Sequence, residues 1–364
     1  MKILWLAHRD PFNPRAGGAE KILLEVGKRL AKDGYEVSVL TGGWKGCKRK
    51  ETYDGINITR CGHRAGPHFV LPFYLLKYNH DIIIADLGHA VPWILPVLLN
   101  RKTLVSFLHL HERTLPGQVN FLLRKIVGSL EKVYFIIYHK TNFVTISTSS
   151  RNDLVCLGIS KGRINLISPG VNNELFKPKN KTAYPTIVYF GGMRKYKRPE
   201  ESIYIFKELR ELIVNLKLIV VGDGPSFPTL KNLAAQLNVT EGVIFTGRIS
   251  NENLAELVSA AWLNIHSSIS EGWGISIIEA ASAGTPTVAY DVPGVRDAVE
   301  EGLNGIKIKD GDRKAFADAA YAILRNPEKW WSSSTTVAQK YSWNRTAELW
   351  EKLIQKITYE GHEK

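Results

Sequence analysis

The strongest constraint on the fold is a pattern of short, almost continuously apolar segments that alternate with helical segments along the chain. The first half carries such strand-length segments at residues 2–7, 36–41, 56–61, 81–86, 103–109, 143–147 and 164–168. Between the first two, AEKILLEVGKRLAKDG has apolar residues at helical spacing and a stop signal at Gly34. Apolar strands separated by helices are typical of parallel sheets with both faces covered. The first half therefore predicts a doubly wound α/β domain.

The same pattern restarts in the second half, after a segment rich in proline, asparagine and lysine. The second set of predicted strands covers residues 186–192, 217–224, 243–248, 263–268, 285–291 and 305–309. A chain of 364 residues is long enough for two domains. We predict a first domain over residues 1–170, a second over 171–342, and a final segment, 343–364, whose amphipathic helix (343–357) packs back across the domain junction. Open α/β sheets bind ligands at the carboxyl ends of their strands, so the two domains are expected to enclose a cleft there.

Composition places the chain among globular proteins that need no disulfides. The sequence is 44% hydrophobic and 23% charged, and its three cysteines are widely separated without any C-x-x-C spacing. This usage argues against a disulfide framework or a zinc site and fits a reducing compartment. The N-terminal segment MKILWLAHRD does not resemble a signal peptide, and no run reaches the ~18 apolar residues of a spanning helix. We therefore expect a cytoplasmic protein.

The positive charge is concentrated in the first half. The net charge is +13; residues 1–175 hold 24 Lys and Arg against 13 Asp and Glu, and the remainder holds 24 against 22. A basic half joined to a nearly neutral half predicts an anionic partner for the basic half alone. Nucleic acid, anionic lipid and phosphorylated substrates all satisfy this requirement, and charge does not choose among them.

The segment SISEGWGISIIEAASAG combines the end of a strand, a glycine turn and the start of a helix. Gly272 and Gly274 present no side chain to an approaching ligand, and the first N–H groups of the helix, near Ile275, can bind a phosphate. Glu271 and Glu279 are eight residues apart, ~12 Å along a helix. One carboxylate can meet a sugar ring while the other holds ribose hydroxyls across a diphosphate. Alternatively, the two acids only stabilise and solvate the helix.

Several motifs in the same order resemble one enzyme family. EGWGISIIEAASAGTPTVAYDVPGVRDAV (271–299) is similar to the E-x7-E segment of the retaining GT-B glycosyltransferases of glycosyltransferase family 4. GGAEK (17–21) resembles the glycine loop after the first strand of that family, SPGVNNELFKP (168–178) its domain junction, and GDGP (222–225) its next glycine loop. The resemblance implies the GT-B fold, in which two Rossmann-like domains face each other across a cleft. It also implies an N-terminal acceptor-binding domain and a C-terminal domain for a nucleotide-diphosphate sugar.

Carried over by position, the resemblance assigns most of the donor site to the second half. Glu279 is expected to bind the ribose, Gly274 and Ile275 the diphosphate, and Glu271 hydroxyl groups of the transferred sugar. The implied donor-binding residues are Gly17, Gly18, Arg194, Lys197, Gly222, Arg248, Gly272, Trp273, Gly274, Ile275 and Glu279.

The predicted diphosphate cations lie in GGMRKYKRPEE. Lys197 corresponds to the diphosphate lysine of the family. The chain departs from the family pattern at Gly192, where an arginine is common, and Arg194 or Lys195 is a candidate to replace it. Arg248, just after VIFTG, is either a base or diphosphate contact or a surface arginine.

His109, at the end of the predicted strand TLVSFLH, resembles a histidine of the family and is the second catalytic candidate beside Glu271. Spacing does not decide whether His109, His111 or Glu112 faces the site. The resemblance implies front-face attack by the acceptor hydroxyl, assisted by the departing phosphate oxygen, with Glu271 positioning the sugar. No strand ends in D-x-D, so we expect neither a metal nor another cofactor.

Two basic, aromatic-bearing segments bear on the acceptor. They are GPHFVLPFYLLKYNH (66–80) and FLLRKIVGSLEKVYFIIYHK (121–140), the latter with Arg124, Lys125, Lys132, His139 and Lys140. Such helices can lie on an anionic membrane surface, here the inner face of the membrane, or their apolar sides can belong to the core. The membrane interpretation favours a lipid-linked saccharide or glycolipid acceptor used in cell-surface glycan synthesis.

Other classes remain as alternatives. A GT-B sugar-nucleotide epimerase shares the architecture and needs no acceptor, and a regulator that only binds the nucleotide sugar is compatible with Gly192. A nucleic-acid binder would use the basic half, although the motifs above are not those of nucleic-acid recognition. A nicotinamide dehydrogenase is disfavoured because HRDPFNPRAGGAE lacks G-x-G-x-x-G.

Overall fold

The computed structural model describes residues 1–63, 65–88, 91–115 and 119–359, apart from the side chain of Tyr134. It divides into two compact units. The first comprises Met1–Glu112, Lys125–Pro169 and Trp343–Lys364, and the second comprises Arg113–Arg124 and Gly170–Ser342. The last five residues of the predicted 343–364 segment, 360–364, lie outside the described part.

The first unit is built on a sheet whose strands are β1 (Lys2–Leu6), β2 (Glu36–Thr41), β3 (Lys50–Tyr53), β4 (Ile56–Arg60), β5 (Ile82–Asp86), β6 (Thr103–Phe107), β7 (Asn142–Thr145) and β8 (Ile164–Leu166). Their order across the sheet is β3-β4-β2-β1-β5-β6-β7-β8. Every neighbouring pair is parallel except β3 and β4. The strands predicted in the first half are confirmed, and β3 is an additional edge strand. Its hairpin turn is Asp54–Gly55, both at positive φ, a pair that favours such turns.

The helices of the first half are α1 (Gly18–Lys32), α2 (Gly66–Lys77), α3 (Ile94–Leu98), α4 (His111–Thr114), α5 (Phe121–Ile137) and α6 (Thr148–Cys156), followed by a 3-10 turn at Lys161–Arg163. The connection through α1 runs from β1 towards the β3 edge, whereas those through α2, α3 and α5 run towards the β8 edge. Because such crossovers are right-handed, α1 lies on one face and the other three helices lie on the opposite face.

Side chains of β1 show both faces. Leu4 and Leu6 belong to a buried cluster that includes Leu71 and Leu75 of α2 and Phe135 of α5. The intervening Trp5 points the other way, as alternation along a strand requires. The sheet is therefore covered on both sides, which explains why its strands are apolar throughout.

The second unit contains a sheet of β9 (Thr186–Phe190), β10 (Lys217–Val221), β11 (Val243–Gly247), β12 (Leu263–His266), β13 (Thr287–Tyr290) and β14 (Gly305–Ile308). The order is β11-β10-β9-β12-β13-β14 with parallel neighbours throughout, so the second doubly wound domain is confirmed. Its helices are α7 (Glu200–Arg210), α8 (Phe227–Gln236), α9 (Asn251–Ala260), α10 (Ile275–Ser282), α11 (Val295–Ala298), α12 (Arg313–Arg325) and α13 (Glu328–Ala338), with 3-10 turns at Lys195–Lys197 and Thr240–Gly242.

A half-buried lysine joins the segment before β9 to two helix ends of this unit. Lys181 Nζ donates to the carbonyls of Ala261 and Gly284, 2.8 and 2.9 Å away, and to the hydroxyl of Thr285 at 2.8 Å. These acceptors lie just past the C-termini of α9 and α10, where the helix dipole favours a cation. The contact fixes the C-terminal end of α10, the helix whose N-terminus enters the candidate site described below.

The last helix, α14 (Trp343–Tyr359), packs in the first unit against α1. Trp350 stacks on Trp5 with ring centroids 5.2 Å apart, and each indole is 1% exposed. Polar contacts flank the stack: Tyr35 donates to Glu351 at 2.8 Å and Arg29 donates to Asn344 at 2.7 Å. The helix thus completes the face of the sheet that α1 covers.

The described residues contain no helix with the length and apolar character needed to span a membrane. All three cysteines are free thiols.

Trp350→Ala should destabilise the first unit by about 3–5 kcal/mol, because it leaves a large cavity against Trp5. Leu349→Ala is the matched control on the same helix, since Leu349 is 39% exposed. Urea unfolding followed by far-UV circular dichroism measures both. Equal midpoints for the two variants would show that the indole stack does not hold α14.

Asp86→Asn should change stability in a pH-dependent way. Burial, with the neighbouring Glu20 carboxylate, raises the pKa of Asp86 from 3.8 to about 7. Between these values the folded protein keeps a proton that the unfolded chain releases, so this group makes stability fall as pH rises from about 4 to about 7. Relative to wild type, the neutral asparagine should gain stability on the order of a few kcal/mol at pH 8 and little near pH 4. Urea unfolding at both pH values tests this, and a pH-independent difference would contradict it.

Candidate functional site

The strand order of the second unit reverses between β9 and β12. The chain proceeds outward from β9 to β10 and β11, then returns to the other side of β9 with β12 and continues to β13 and β14. The loops that follow β9 and β12 therefore leave the sheet in opposite directions, and the crevice between them is the usual ligand site of such folds. These two loops carry Lys197 and Glu271.

Glu271 is held by side chains from both loops. Its Oε1 atom is in direct ion-pair contact with Nζ of Lys197, a residue 74 positions earlier. The same oxygen accepts a hydrogen bond from Ser268 Oγ at 2.7 Å, and His266 Nε2 lies 3.8 Å from it. The fold thus brings together a predicted acid and a predicted cation.

The charges of this cluster are fixed by the ion pair. Burial raises the pKa of Glu271, but the Lys197 ammonium and the neighbouring hydrogen-bond donors together outweigh burial and bring the pKa below its usual value. Burial likewise lowers the pKa of Lys197, and the Glu271 carboxylate outweighs it and raises the pKa. Burial lowers the pKa of His266 to about 4, so its imidazole is neutral at physiological pH. The site therefore combines one carboxylate, one ammonium and a neutral imidazole.

Arg198 connects the two loops at the backbone level. It adopts φ +46°, in the left-handed region, and its guanidinium donates to the carbonyls of Ser267 and Ser268 at 2.6 and 3.2 Å. It also donates to Asp310 at 2.5 Å and lies 4.6 Å from the ring centroid of Tyr290. Arg198 thereby fixes the loop that places its neighbour Lys197.

The loop after β13 supports the main chain of Glu271. The amide of Glu271 donates to the carbonyl of Pro293 at 3.0 Å. Gly294 has φ +80°, and a Cβ atom there would lie 2.1 Å from the carbonyl oxygen of Glu271. A side chain at position 294 would therefore displace the loop that carries Glu271, so the site requires glycine at this position.

Helix α10 starts directly beyond this loop with Gly274 as its N-cap, and no side chain caps it. Gly272 and Trp273 are buried, and the indole of Trp273 makes an edge contact with Tyr341 at 5.3 Å. Ile275 is half-buried at the first helical position, and Glu279, further along the helix, is 7% exposed. An N-terminus without a side-chain cap is suited to an anion because its first amides point out of the helix.

The glycine loops after β9 and β10 pack against each other. Gly222 has φ +128°, and a Cβ atom there would lie 2.0 Å from the carbonyl oxygen of Gly191. A Cβ atom added at Gly192, in contrast, would face open space. The atom nearest to it would be Nε of Arg194, 3.9 Å away. Arg194 is half-buried and its charge acts on Lys197, whereas Lys195 is exposed. Arg248 follows β11 and is also exposed.

In the first unit, the predicted glycine loop leads into α1. Gly17 is the N-cap and Gly18 the first residue of the helix, and both are exposed. The amide of Gly17 donates to Glu20 Oε2 at 2.7 Å, and Glu20 Oε1 lies 3.3 Å from Arg9 Nε. The glycines are therefore at a helix start, as the motif predicts.

The structure distinguishes the three candidates after β6. His111 is bound by Glu131 of α5, through its backbone amide at 2.7 Å and its Nδ1 at 3.0 Å. The carboxylate of Glu112 lies against Gly128 of α5, where an added Cβ would meet it at 2.4 Å. His109 is half-buried two residues beyond β6, with its ring centroid 5.5 Å from that of His111.

Several polar residues of both units are not among the predicted site residues. In the first unit, His8 and His68 approach within 3.0 Å through their Nε2 atoms, His68 stacks on Trp93 at 4.0 Å, and Asp86 ends β5. In the second unit, the residues not predicted are His266, Ser268, Arg198 and Gly294. Position at a strand end was a usable signal for Asp86 and His266. Arg198 and Gly294 carry no such signal, because their roles arise from contacts between loops. Among the described residues, no group of three His, Cys, Asp or Glu side chains is placed to hold a metal ion.

Two family models match most of the chain. Residues 16–175 match the model described as Glycosyltransferase Family 4, and residues 171–333 match Glycosyl transferases group 1. A similar protein is N-acetyl-alpha-D-glucosaminyl L-malate synthase of Bacillus anthracis, 26% identical over 86% of each chain.

Solved structures with the same fold cover nearly the whole chain. Sucrose-phosphate synthase from Thermosynechococcus elongatus superposes with a TM-score of 0.83 at 22% identity over 98% of each chain. Anabaena HepE in complex with UDP-glucose superposes with a TM-score of 0.75 at 17% identity, over 97% of this chain and 99% of the other. These neighbours share the GT-B fold, which confirms the predicted fold class. With both family models matching in the predicted order, the chain belongs to glycosyltransferase family 4 and is a GT-B glycosyltransferase.

Proposed function

We propose that the protein transfers a hexose-type sugar from a UDP- or GDP-sugar to an acceptor hydroxyl with retention of anomeric configuration. The observation that carries the proposal is the Glu271–Lys197 pair, held at the β9/β12 reversal next to the N-terminus of α10. One crevice thus contains a carboxylate suited to sugar hydroxyls. It also contains the Lys197 ammonium and the N-terminus of α10, which are both suited to a diphosphate.

The donor is proposed to lie with its diphosphate at Gly274 and Ile275, its ribose at Glu279 and its sugar at Glu271. Lys197 supplies the cation, and Arg194, whose charge reaches Lys197, is the better placed replacement for the arginine missing at Gly192. Gly222 and Arg248, from the neighbouring loops, are assigned to the nucleotide side. Gly17, Gly18 and His109 of the first unit are assigned to the phosphate and sugar of the same donor. The UDP-glucose complex of HepE, which shares the fold, supports this class of donor.

The proposed chemistry needs no protein nucleophile. The bond between the anomeric carbon and the phosphate oxygen breaks, and the electron pair leaves with the nucleoside diphosphate. Lys197 and the amides of α10 stabilise this charge, so the proposal includes no metal. The acceptor hydroxyl attacks from the face that the leaving group vacates, and its proton passes to the departing phosphate oxygen. Glu271 binds sugar hydroxyls and positions the ring.

The acceptor is proposed to be a lipid-linked saccharide or glycolipid at the cytoplasmic face of a membrane, used in cell-surface glycan synthesis. The basic first half, with a net charge of +11 over residues 1–175, supports an anionic surface as partner. Nucleic acid is not part of the proposal, because the site residues cluster around a sugar-nucleotide crevice.

Glu271→Gln should lower turnover at least about 100-fold, the usual cost of removing a preorganised polar group from a transition state. The amide keeps the shape but gives Lys197 no counter-charge and holds sugar hydroxyls less firmly. Turnover is measured as acceptor-dependent release of nucleoside diphosphate, and the product's anomeric configuration by proton NMR. Glu256→Gln, which changes an exposed acid of α9 that pairs with Lys179, is the control. Wild-type turnover in Glu271→Gln would remove this residue from the mechanism, and conversion of the sugar nucleotide without acceptor would indicate the epimerase instead.

A thermal-shift screen should identify the donor. A donor at 100 times its Kd stabilises the folded state by about 2.7 kcal/mol, or roughly 5–10 °C for a domain of this size. Lys197→Met should abolish most of this shift because it removes the cation from the crevice. Lys179→Met, which removes an exposed cation that pairs with Glu256 of α9, should retain it. A full shift in Lys197→Met would show that the diphosphate binds elsewhere.

A further inference from the structure

Three helices on one face of the first sheet expose an unusual number of large apolar side chains. Phe69, Phe73 and Leu76 of α2 are 76%, 73% and 86% exposed. We name those that belong to the first unit the apolar surface; it consists of Phe69, Phe73 and Leu76 of α2, Leu98 of α3, and Ile126, Leu130, Val133 and Ile136 of α5. Contiguous exposed apolar patches on a folded protein mark interaction sites.

These side chains are not misplaced core residues. On α5 they recur at intervals of four, three and three residues, which is one side of a helix, while Phe135 and Tyr138 face inward and are 0% exposed. On α2 the outward residues recur at intervals of four and three, and Leu71 and Leu75 fill the core. Each helix therefore already buries one apolar side and presents a second to solvent.

The exposed charges carried by these three helices are all positive. Lys77 of α2 and Lys125 and Lys132 of α5 are exposed. The only acid in the sequences of α2, α3 and α5 is Glu131, which is 2% exposed and bound to His111. Lysines that flank an apolar stripe can place their stems on hydrocarbon and their ammonium groups at phosphate level.

We propose that the apolar surface docks on an anionic lipid membrane. The rings of Phe69 and Phe73 and the aliphatic side chains of α5 would enter the headgroup boundary, while Lys125 and Lys132 contact lipid phosphates. The inference rests on the proposed function, because docking would bring the enzyme to the membrane that contains the proposed lipid-linked acceptor. It assigns that contact to three specific helices of the first unit.

The charge pattern favours lipid over a protein partner. Protein interfaces are depleted in lysine, and an isologous contact with a second copy would bring this uniformly positive surface against itself. An anionic bilayer satisfies the apolar and the cationic groups together.

Flotation with vesicles tests the proposal on the full chain. Wild-type protein should float with vesicles of equal parts phosphatidylcholine and phosphatidylglycerol, more weakly at high salt, and little with pure phosphatidylcholine. Ile126→Ser with Val133→Ser, and separately Lys125→Glu with Lys132→Glu, should each lower the bound-to-free ratio about tenfold or more. The control is Leu212→Ser with Val214→Ser, which removes two exposed apolar side chains of the second unit and should bind like wild type.

Three results would overturn the proposal. The first is wild-type protein that does not float with anionic vesicles, and the second is surface variants that float like wild type. The third is a wild-type dimer that becomes monomeric in the surface variants while flotation is unchanged. Unfolding midpoints confirm that each variant is folded, and Phe73→Ser with Leu76→Ser on α2 provides a second variant if the α5 variants do not fold. The donor-induced thermal shift is measured on the same samples. In the wild-type protein, flotation without a donor-induced shift counts against the proposed function alone, whereas a donor-induced shift without flotation counts against the membrane surface alone.

Discussion

The ion pair between Glu271 and Lys197 is the interaction on which the candidate site depends. A carboxylate that is largely removed from water stays ionised only when a cation and hydrogen-bond donors compensate for its desolvation. Here the cation comes from the loop after β9 and the hydroxyl donor, Ser268, from the loop after β12. The pair therefore exists only because the strand order reverses between these two strands. In the function proposed above, the same ammonium also serves the diphosphate, which would link sugar positioning to stabilisation of the leaving group.

Backbone packing around the pair explains its rigidity. Gly294 allows the loop after β13 to touch the carbonyl of Glu271, and Gly222 allows the loop after β10 to touch that of Gly191. Arg198 ties carbonyls of the β12 loop to the segment that carries Lys197. The loops after β9 and β12 are thus held by close backbone contacts, which leave no room for a side chain at Gly222 or Gly294. Such preorganisation reduces the reorganisation that a charged transition state would otherwise require.

In the first unit, the two layers of helices on the sheet differ in how much apolar surface they leave exposed to solvent. On the α1 side, α14 returns from the end of the chain and stacks Trp350 on Trp5. On the α2 side, each helix covers the sheet with one stripe and leaves a second apolar stripe exposed between lysines. The exposed stripes gain nothing from folding, because they contact water in the folded and in the unfolded chain. We propose that a membrane covers them.

The sequence by itself determined the two doubly wound domains, every strand except β3, the helices α1 and α14, and the strand, glycine turn and helix around Glu271. These features follow from local periodicity and turn residues, which act over a few positions. The edge strand β3 was not predicted because KETY lacks an apolar pattern, although the Asp54–Gly55 pair that follows it is typical of a hairpin turn. Tertiary structure alone decided that Lys197 reaches Glu271, that Glu131 binds His111, and that the stripe of α5 faces outward. Each of these outcomes depends on which elements the sheet order makes neighbours, and a linear sequence contains that order only through the complete fold.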